Sequence, residues 1–397
     1  MQAVQQIQRH NRDREPERLM LKYRAMRAST FGFLRGSCHL FYDRLPQNGL
    51  FKSAPSVWVC GDLHVENFGS YKGDNRLAYF DLNDFDEAAL APATWDLVRF
   101  LTSVRIRGDD LPGVDVQALC NAFVEAYAAS LVSGKAYWLE RETAQGLVRE
   151  LLDGLRARVR VDFLNARSVV SRKQRVLKVD GVRALPPSAS QRTAVTQFMA
   201  EFAQTQADPH FFKVLDVARR IAGTGSLGID RFAVLVHGKG SPDGNYLLDL
   251  KQVFSSSLLP KLKLQQPAWK NEAERVVALQ RQMQAVPMAF LQAVVFQKSS
   301  YVLRDLQPSE DRVVWPGVHR TQVPLLQLVT SLGRLVAWAQ LRSAGRSGSA
   351  TADELIAFGQ KRKWKTQLLD AAKDCEADVR KDAASFNAAF DAGELSA

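Results

Sequence analysis

The sequence predicts a two-lobed α+β protein in which a small antiparallel sheet sits beside a mainly helical body. Three observations carry that expectation. Apolar residues recur at helical spacing over long stretches, as in 271–285 and 325–341. Short runs rich in β-branched residues, VWVC at 57–60, RFAVLVHG at 231–238 and NYLLDLKQ at 245–252, are bounded by glycine-rich or polar turns and read as hairpin strands. A chain of 397 residues is also long enough to divide its core.

In chain order, residues 1–25 are polar and charged and read as a frayed lead into a helix. From Tyr23 to Leu45 the apolar positions fit one helix or two short ones, and Pro46 stops the pattern. Arg35 lies inside that apolar stretch, either snorkelling to the surface or pairing with a buried acid. Residues 57–60 form a strand, and 76–85 form one arm of a hairpin turned at 71–75. Helices are expected over 97–106, 116–131 and 137–155. Segment 156–183 holds nine Lys or Arg against two Asp and reads as a solvated connection or as a phosphate-facing surface. PPSAS at 186–190 reads as a linker. After the strands at 231–238 and 245–252 come a helix over 271–285, a strand pair over 289–296 and 300–306, a helix over 325–341, and a charged C-terminal helix with an alanine-rich tail, read as lying across the surface. The expected division is 1–190, 191–310 and 311–397.

Hydrophobic content of 46% and charged content of 24% exclude a disordered or fibrous chain. No run of about eighteen apolar residues suggests a membrane span, and the first residues lack a signal-like apolar stretch, so a cytoplasmic protein is expected. Cys38, Cys60, Cys120 and Cys375 form no CxxC pair and read as buried thiols. The net charge of +11 suits an anionic partner: a nucleotide, a phosphorylated metabolite or nucleic acid.

The densest chemistry lies between Gly61 and Arg99, in GDLHVENFG and LAYFDLNDFDEAALAPATWDLVR. Asp62, Asp81, Asp84 and Asp86 are interleaved with Leu63, Phe68, Phe80, Leu82 and Phe85, and carboxylates among core residues are costly unless they serve a cation, a hydrogen bond or a reacting proton. Asp62, Asn67 and Asp84 offer oxygen ligands without clustered His or Cys, which suits Mg2+ rather than zinc. Farther on, Gly223, Gly225 and Gly228 make a GxGxxG loop that opens into a strand, and the following strand carries Lys251. A glycine loop between strands with a lysine on the next one is the arrangement of a nucleotide clamp.

GDLHVEN resembles the catalytic loop of aminoglycoside phosphotransferases in the protein-kinase-like fold, and NDFDEAALAPATWDL resembles their metal-binding segment. GDLHVENFG, FDLNDFDE and WDLVR, with FLRG upstream and GTGSLG downstream, resemble more closely a bacterial domain-of-unknown-function family numbered 2252, over roughly residues 20–345. The resemblance implies ATP and Mg2+ as cofactors, Asp62 as catalytic base, His64 as a loop-organising residue, Asn67 and Asp84 as magnesium ligands, and Asp96 as a support. It implies that Lys251 pairs with nucleotide phosphates beneath Gly223, Gly225 and Gly228, with Glu274, or Glu272 in its place, as the lysine's carboxylate partner. The glycine loop follows the catalytic loop here instead of preceding it, so the implied fold is circularly permuted, with 1–190 beginning the catalytic lobe, 191–310 inserted as the nucleotide-binding lobe, and 311–397 returning as C-terminal helices to the first lobe. That order requires Lys251 and Asp84 to lie within about 15 Å of each other.

The leading functional expectation is an ATP- and Mg2+-dependent phosphotransferase acting on a small molecule or a protein. Nucleotidyl transfer by the same residues is one alternative, and a regulatory pseudokinase with a basic, nucleic-acid-binding surface is another. GDLH also resembles the acid and His loop of metallophosphoesterases, but no GNH motif accompanies it, and His10, His39, His210, His237 and His319 are isolated in sequence.

Overall fold

The computed structural model describes residues 2–46, 49–313, 315 and 321–395. Helices α1 (Gln2–Asn11), α2 (Pro16–Ala28), α3 (Thr30–Gly36), α4 (Cys38–Arg44) and α5 (Gly49–Lys52) come first. Strands β1 (Ser56–Val59), β2 (Phe68–Lys72), β3 (Ala78–Leu82) and β4 (Ala89–Pro92) carry the acidic stretch. Helices α6 (Thr94–Arg107), α7 (Val116–Ser133), α8 (Gly146–Ala157) and α9 (Arg160–Asn165) lead to the hairpin β5 (Ser168–Ser171) and β6 (Gln174–Leu177), then β7 (Ala184–Leu185) and α10 (Ala189–Gln204). Next come β8 (Val214–Arg220), β9 (Arg231–Val236), β10 (Tyr246–Gln252), α11 (Glu272–Met283), β11 (Gln292–Phe296) and β12 (Ser299–Asp305). Helices α12 (Gln322–Arg342), α13 (Ala352–Gln360) and α14 (Lys363–Asp391) follow. Among the described residues, no helix is long and apolar enough to cross a membrane.

The largest sheet is antiparallel with strand order β11-β12-β10-β9-β8-β7. Period-2 alternation gives it two different faces. Val217, Phe232, Val234, Leu248, Leu250 and Leu303 point to one face, where Val195 and Met199 of α10 cover them. Ala218, Ala233, Leu235, Leu247 and Leu306 point to the other, covered by Leu164 of α9 and Leu177 of β6. Three two-stranded sheets, β1-β4, β2-β3 and β5-β6, complete the strands described. The largest apolar cluster joins Ile7, Tyr23 and Phe33 to residues of α6, α7, α12 and α14.

The mixed α+β class stands, and several local expectations are corrected. Residues 2–28 are two packed helices rather than a frayed lead, with Ile7, Tyr23 and Met26 buried. A helix over 137–155 shortens to α8, because Gly146 enters it at φ 53 after an irregular approach. The basic connection is ordered as α9 and the β5-β6 hairpin. The PPSAS linker supplies the cap of a helix: the Ser188 hydroxyl accepts from Gln191 N at 3.1 Å while the Gln191 side chain accepts from Ser188 N at 2.9 Å. All four cysteines are buried and unpaired.

Candidate functional site

The turn after β1 is built from within the core. Both oxygens of the buried Asp96 carboxylate accept backbone N–H groups, Cys60 at 2.7 Å and Gly61 at 2.9 Å, and Tyr42 Oη donates to Gly61 O at 2.6 Å. Gly61 sits at φ 81, and a Cβ there would collide with the Glu87 carbonyl oxygen, so only glycine lets the two acidic segments approach. The next residue, Asp62, is locked by fully buried Arg99: Nε donates to Oδ1 at 2.8 Å, and Nη2 bonds the same oxygen. Burial pushes the Asp62 carboxyl above its ordinary value, against the pull of Arg99.

His64 is buried, and burial holds its imidazole well below its ordinary value, so it is neutral at physiological pH. Its Nδ1 accepts from Glu66 N at 3.1 Å and its carbonyl accepts from Asn67 N at 2.9 Å, which organises the loop. Asn67 Nδ2 donates to Asp62 O at 2.6 Å, leaving its Oδ1 without a hydrogen bond among the described residues. Arg35 pairs with Glu66 at 2.6 Å, which decides between its two readings in favour of an acid partner.

Lys251, buried on β10, forms an ion pair with Asp86, and its Nζ lies 3.9 Å from Asp84 Oδ1. The separation that the permuted order requires of Lys251 and Asp84 is therefore met. Burial alone would raise the Asp84 carboxyl; Lys251, with Arg304, Arg312 and Arg231, overrides it and holds the group below its ordinary value. The expected carboxylate partner of Lys251 is corrected: Glu274 instead accepts from Lys270 N at 2.8 Å at the start of α11, and Glu272 pairs with Arg275 at 2.6 Å. Asp86 takes that place. Asp81 is structural, since Arg342 of α12 binds it at 3.0 Å and Ala285 N at 3.1 Å.

The glycine loop lies over this assembly. A Cβ on Gly225 would be 3.9 Å from Asp62 Oδ2 and 3.3 Å from Arg35 O. Gly223 and Gly228 adopt φ 74 and 88, which favour glycine. From the far side the N-terminal segment grips the loop: Arg14 Nη1 donates to Gly225 O at 2.8 Å and Leu227 O at 2.5 Å, and Glu15 N donates to Gly228 O at 2.8 Å. Arg14 lies outside every sequence motif, and the motif containing Arg99, WDLVR, gave that residue no role.

Two cavities meet here, sharing Asp84, Gly223 and Ser226 in their walls. One, of about 520 Å³, contains Asp62, His64, Asp86 and Glu87, and its charged lining is predominantly acidic. The other, of about 180 Å³, lies between the sheet and the 306–312 segment; among its described lining residues, eight Lys or Arg face four carboxylates. Beneath it, fully buried Asp249 is ringed by Arg231 at 2.6 Å, Arg220 at 2.9 Å and Arg304 at 3.5 Å. Burial would raise Asp249, but Arg220 and Arg231 keep it well below its ordinary value. Burial also pushes Arg220 down to about 10. One carboxylate cannot neutralise three guanidinium groups, so this wall of the chamber keeps a net positive charge.

Among the described residues, no three His, Cys, Asp or Glu side chains gather as a metal cage. Magnesium needs none, since it binds through one or two carboxylates together with waters and substrate phosphates. Two histidine pairs do form, His10 stacked on His39 at 3.8 Å and His210 against His237 at 4.2 Å, and His319 lies outside the described residues.

A family model described as an uncharacterized protein conserved in bacteria (DUF2252) matches residues 14–389. No curated protein and no solved structure matches the chain.

Proposed function

The chain belongs to this bacterial family, and for it we propose phosphoryl transfer from ATP to a hydroxyl-bearing small molecule or protein, in a kinase-like manner. The observation that carries the reading is the meeting of Lys251, Asp84 and the glycine loop with the Asp62 turn at the junction of a basic chamber and an acidic one. The nucleotide enters the basic chamber, and Lys251 fixes its phosphates beside Asp84. Asp84 and Asn67 Oδ1 would hold magnesium, which when bound neutralises phosphate charge.

On the other side the acceptor hydroxyl approaches Asp62. Arg99 occupies Oδ1 and leaves Oδ2 toward the glycine loop, so the acceptor's proton passes to Oδ2 as its oxygen bonds phosphorus. The bond from phosphorus to the bridging oxygen breaks, and the nucleoside diphosphate leaves. Unpaired thiols and an ATP substrate suit the cytoplasm.

The arginines around Asp249 favour a second reading. With the terminal phosphates seated on Arg220, Arg231 and Arg304, the α-phosphate would face Asp62 and the nucleotidyl group would be transferred. Product analysis separates the two: ADP from ATP and Mg2+, lost in Asp84→Ala and Asp62→Asn, supports phosphoryl transfer. AMP or an AMP adduct selects the second reading, and failure of ATP and Mg2+ to shift the thermal midpoint sinks both.

A further inference from the structure

Thirteen large apolar side chains are exposed among the described residues, and six of them, Val159, Val169, Val170, Val176, Val179 and Val182, fall within the short stretch around the β5-β6 hairpin. Scattered exposed valines need no explanation, whereas a concentration on one hairpin and the segments flanking it does. Three of the six, Val169, Val170 and Val176, lie on the hairpin strands; Val170 is the cross-strand partner of Arg175 and stays 51% exposed, and Val169 and Val176 cannot be turned inward. Arg175 is buried, and its guanidinium donates to Pro242 O at 2.6 Å, Asn165 Oδ1 at 2.8 Å and Asp243 Oδ1 at 3.0 Å. Leu177 and Ser168, paired across the strands, are buried as well. With one face pinned, the strand period of two puts Val169 and Val176, themselves a cross-strand pair, on the outer face at 49% and 39% exposure.

The turn adds a second, independent observation. Arg172 and Lys173 occupy the two-residue loop with φ of 48 and 67. Positive φ at both positions is the requirement of a type I′ turn, which Asn-Gly meets at little cost and which costs other residues about 1–2 kcal/mol each. Two cations are thus held at the tip against local strain, and neither has an ion pair among the described residues. Elsewhere in segment 156–183, Arg158, Arg167, Arg175 and Arg183 are paired with Asp311, Glu310, Asp243 and Glu310, so the tip cations stand apart from the neutralised ones.

We propose that this hairpin is a docking surface for an acidic, extended segment of a partner protein, which adds to the free edge of β5 and covers the valines. Strand β5 pairs only with β6 in the sheet described, so its outer edge offers backbone donors and acceptors. The Arg172 and Lys173 tip makes the partner acidic by charge complementarity. The valines make it a polypeptide rather than a single-stranded nucleic acid, whose bases stack on aromatic side chains, and none of the six exposed side chains is aromatic.

The test uses the full chain and a fluorescent peptide of alternating Glu and Val, followed by anisotropy at low and high salt. Replacing Arg172→Asn together with Lys173→Gly relieves the turn while removing its charge. That variant is expected to unfold at a higher temperature yet bind the peptide about ten-fold more weakly, a combination a purely structural tip would not show. Val169→Ser with Val176→Ser is expected to weaken binding comparably. Unchanged peptide affinity in the Asn-Gly variant overturns the proposal, as does tighter binding of a mixed-sequence single-stranded DNA than of the peptide.

Discussion

Asp96 does its work with both oxygens, and that makes the turn after β1 sensitive to pH. Burial raises its carboxyl from 3.8 to about 7 despite the two backbone donors. At the acid end both folded and unfolded chains hold the proton. As pH rises toward 7 the folded chain keeps a proton that the unfolded one sheds, so this group's contribution to stability is lost across that window, at up to ~1.4 kcal/mol per pH unit. Urea titrations should therefore show the difference between wild type and Asp96→Asn shrinking from pH 4 to pH 7; a parallel pair of curves would remove Asp96 from the account.

Lys251 makes a similar point about pairing. Truncating it to Met leaves Asp84 and Asp86 facing each other, and a double-mutant cycle with Asp86→Asn should return a coupling above about 1 kcal/mol, whereas a cycle with Glu274→Gln should return none. The motif order pointed to Asp62, Asn67, Asp84 and Asp96, because acids in apolar sequence are conspicuous. It did not point to Asp86 as the lysine's partner, since a long-range ion pair leaves no spacing to read.

At the scale of elements, the glycine loop is held from both sides, and its glycines differ in what holds them. Gly223 has open space at the Cβ position, the nearest atom being 3.8 Å away, while a Cβ on Gly228 would stand 2.9 Å from Arg14 Cβ. Both need positive φ, so Gly223→Ala should cost about 1–2 kcal/mol in chemical denaturation, and Gly228→Ala more. Arg14→Ala should leave global stability nearly intact but speed amide exchange across 223–230; unchanged exchange would show that the loop needs no such anchor.

Hairpins and amphipathic helices were legible in the sequence because β9 and β10 are short apolar runs bounded by turn residues, and α11 combines a helical apolar period with an Asn271 cap. Helix α10 was not. Pro186 and Pro187 looked like an interruption, and the capping box at Ser188 and Gln191 is a start signal that a reading for linkers passes over.

In the molecule as a whole, the first helices and the last are one packing unit. Phe386 of α14 sits 5.8 Å from Tyr23 and 5.6 Å from Phe33, and Arg27 pairs with Asp391 at 2.8 Å. Phe386→Ala should cost about 3–5 kcal/mol and loosen α1 to α3 with it, because the void opens where three chain segments meet. The permuted order expects the C-terminal helices of 311–397 to return to the first block, but it does not say which side chains close that contact; α14 buries Trp364, Leu368, Val379 and Phe386 in the main cluster instead of lying across the surface, because its apolar stripe is long enough to need cover.

The junction at Asp84, Gly223 and Ser226 has a kinetic meaning under the proposed reaction. Donor and acceptor approach through separate chambers that touch at one place, so neither has to leave for the other to enter, and no protein side chain need carry the group between them. Initial velocities measured against both substrates should give intersecting rather than parallel double-reciprocal lines, the signature of a ternary complex.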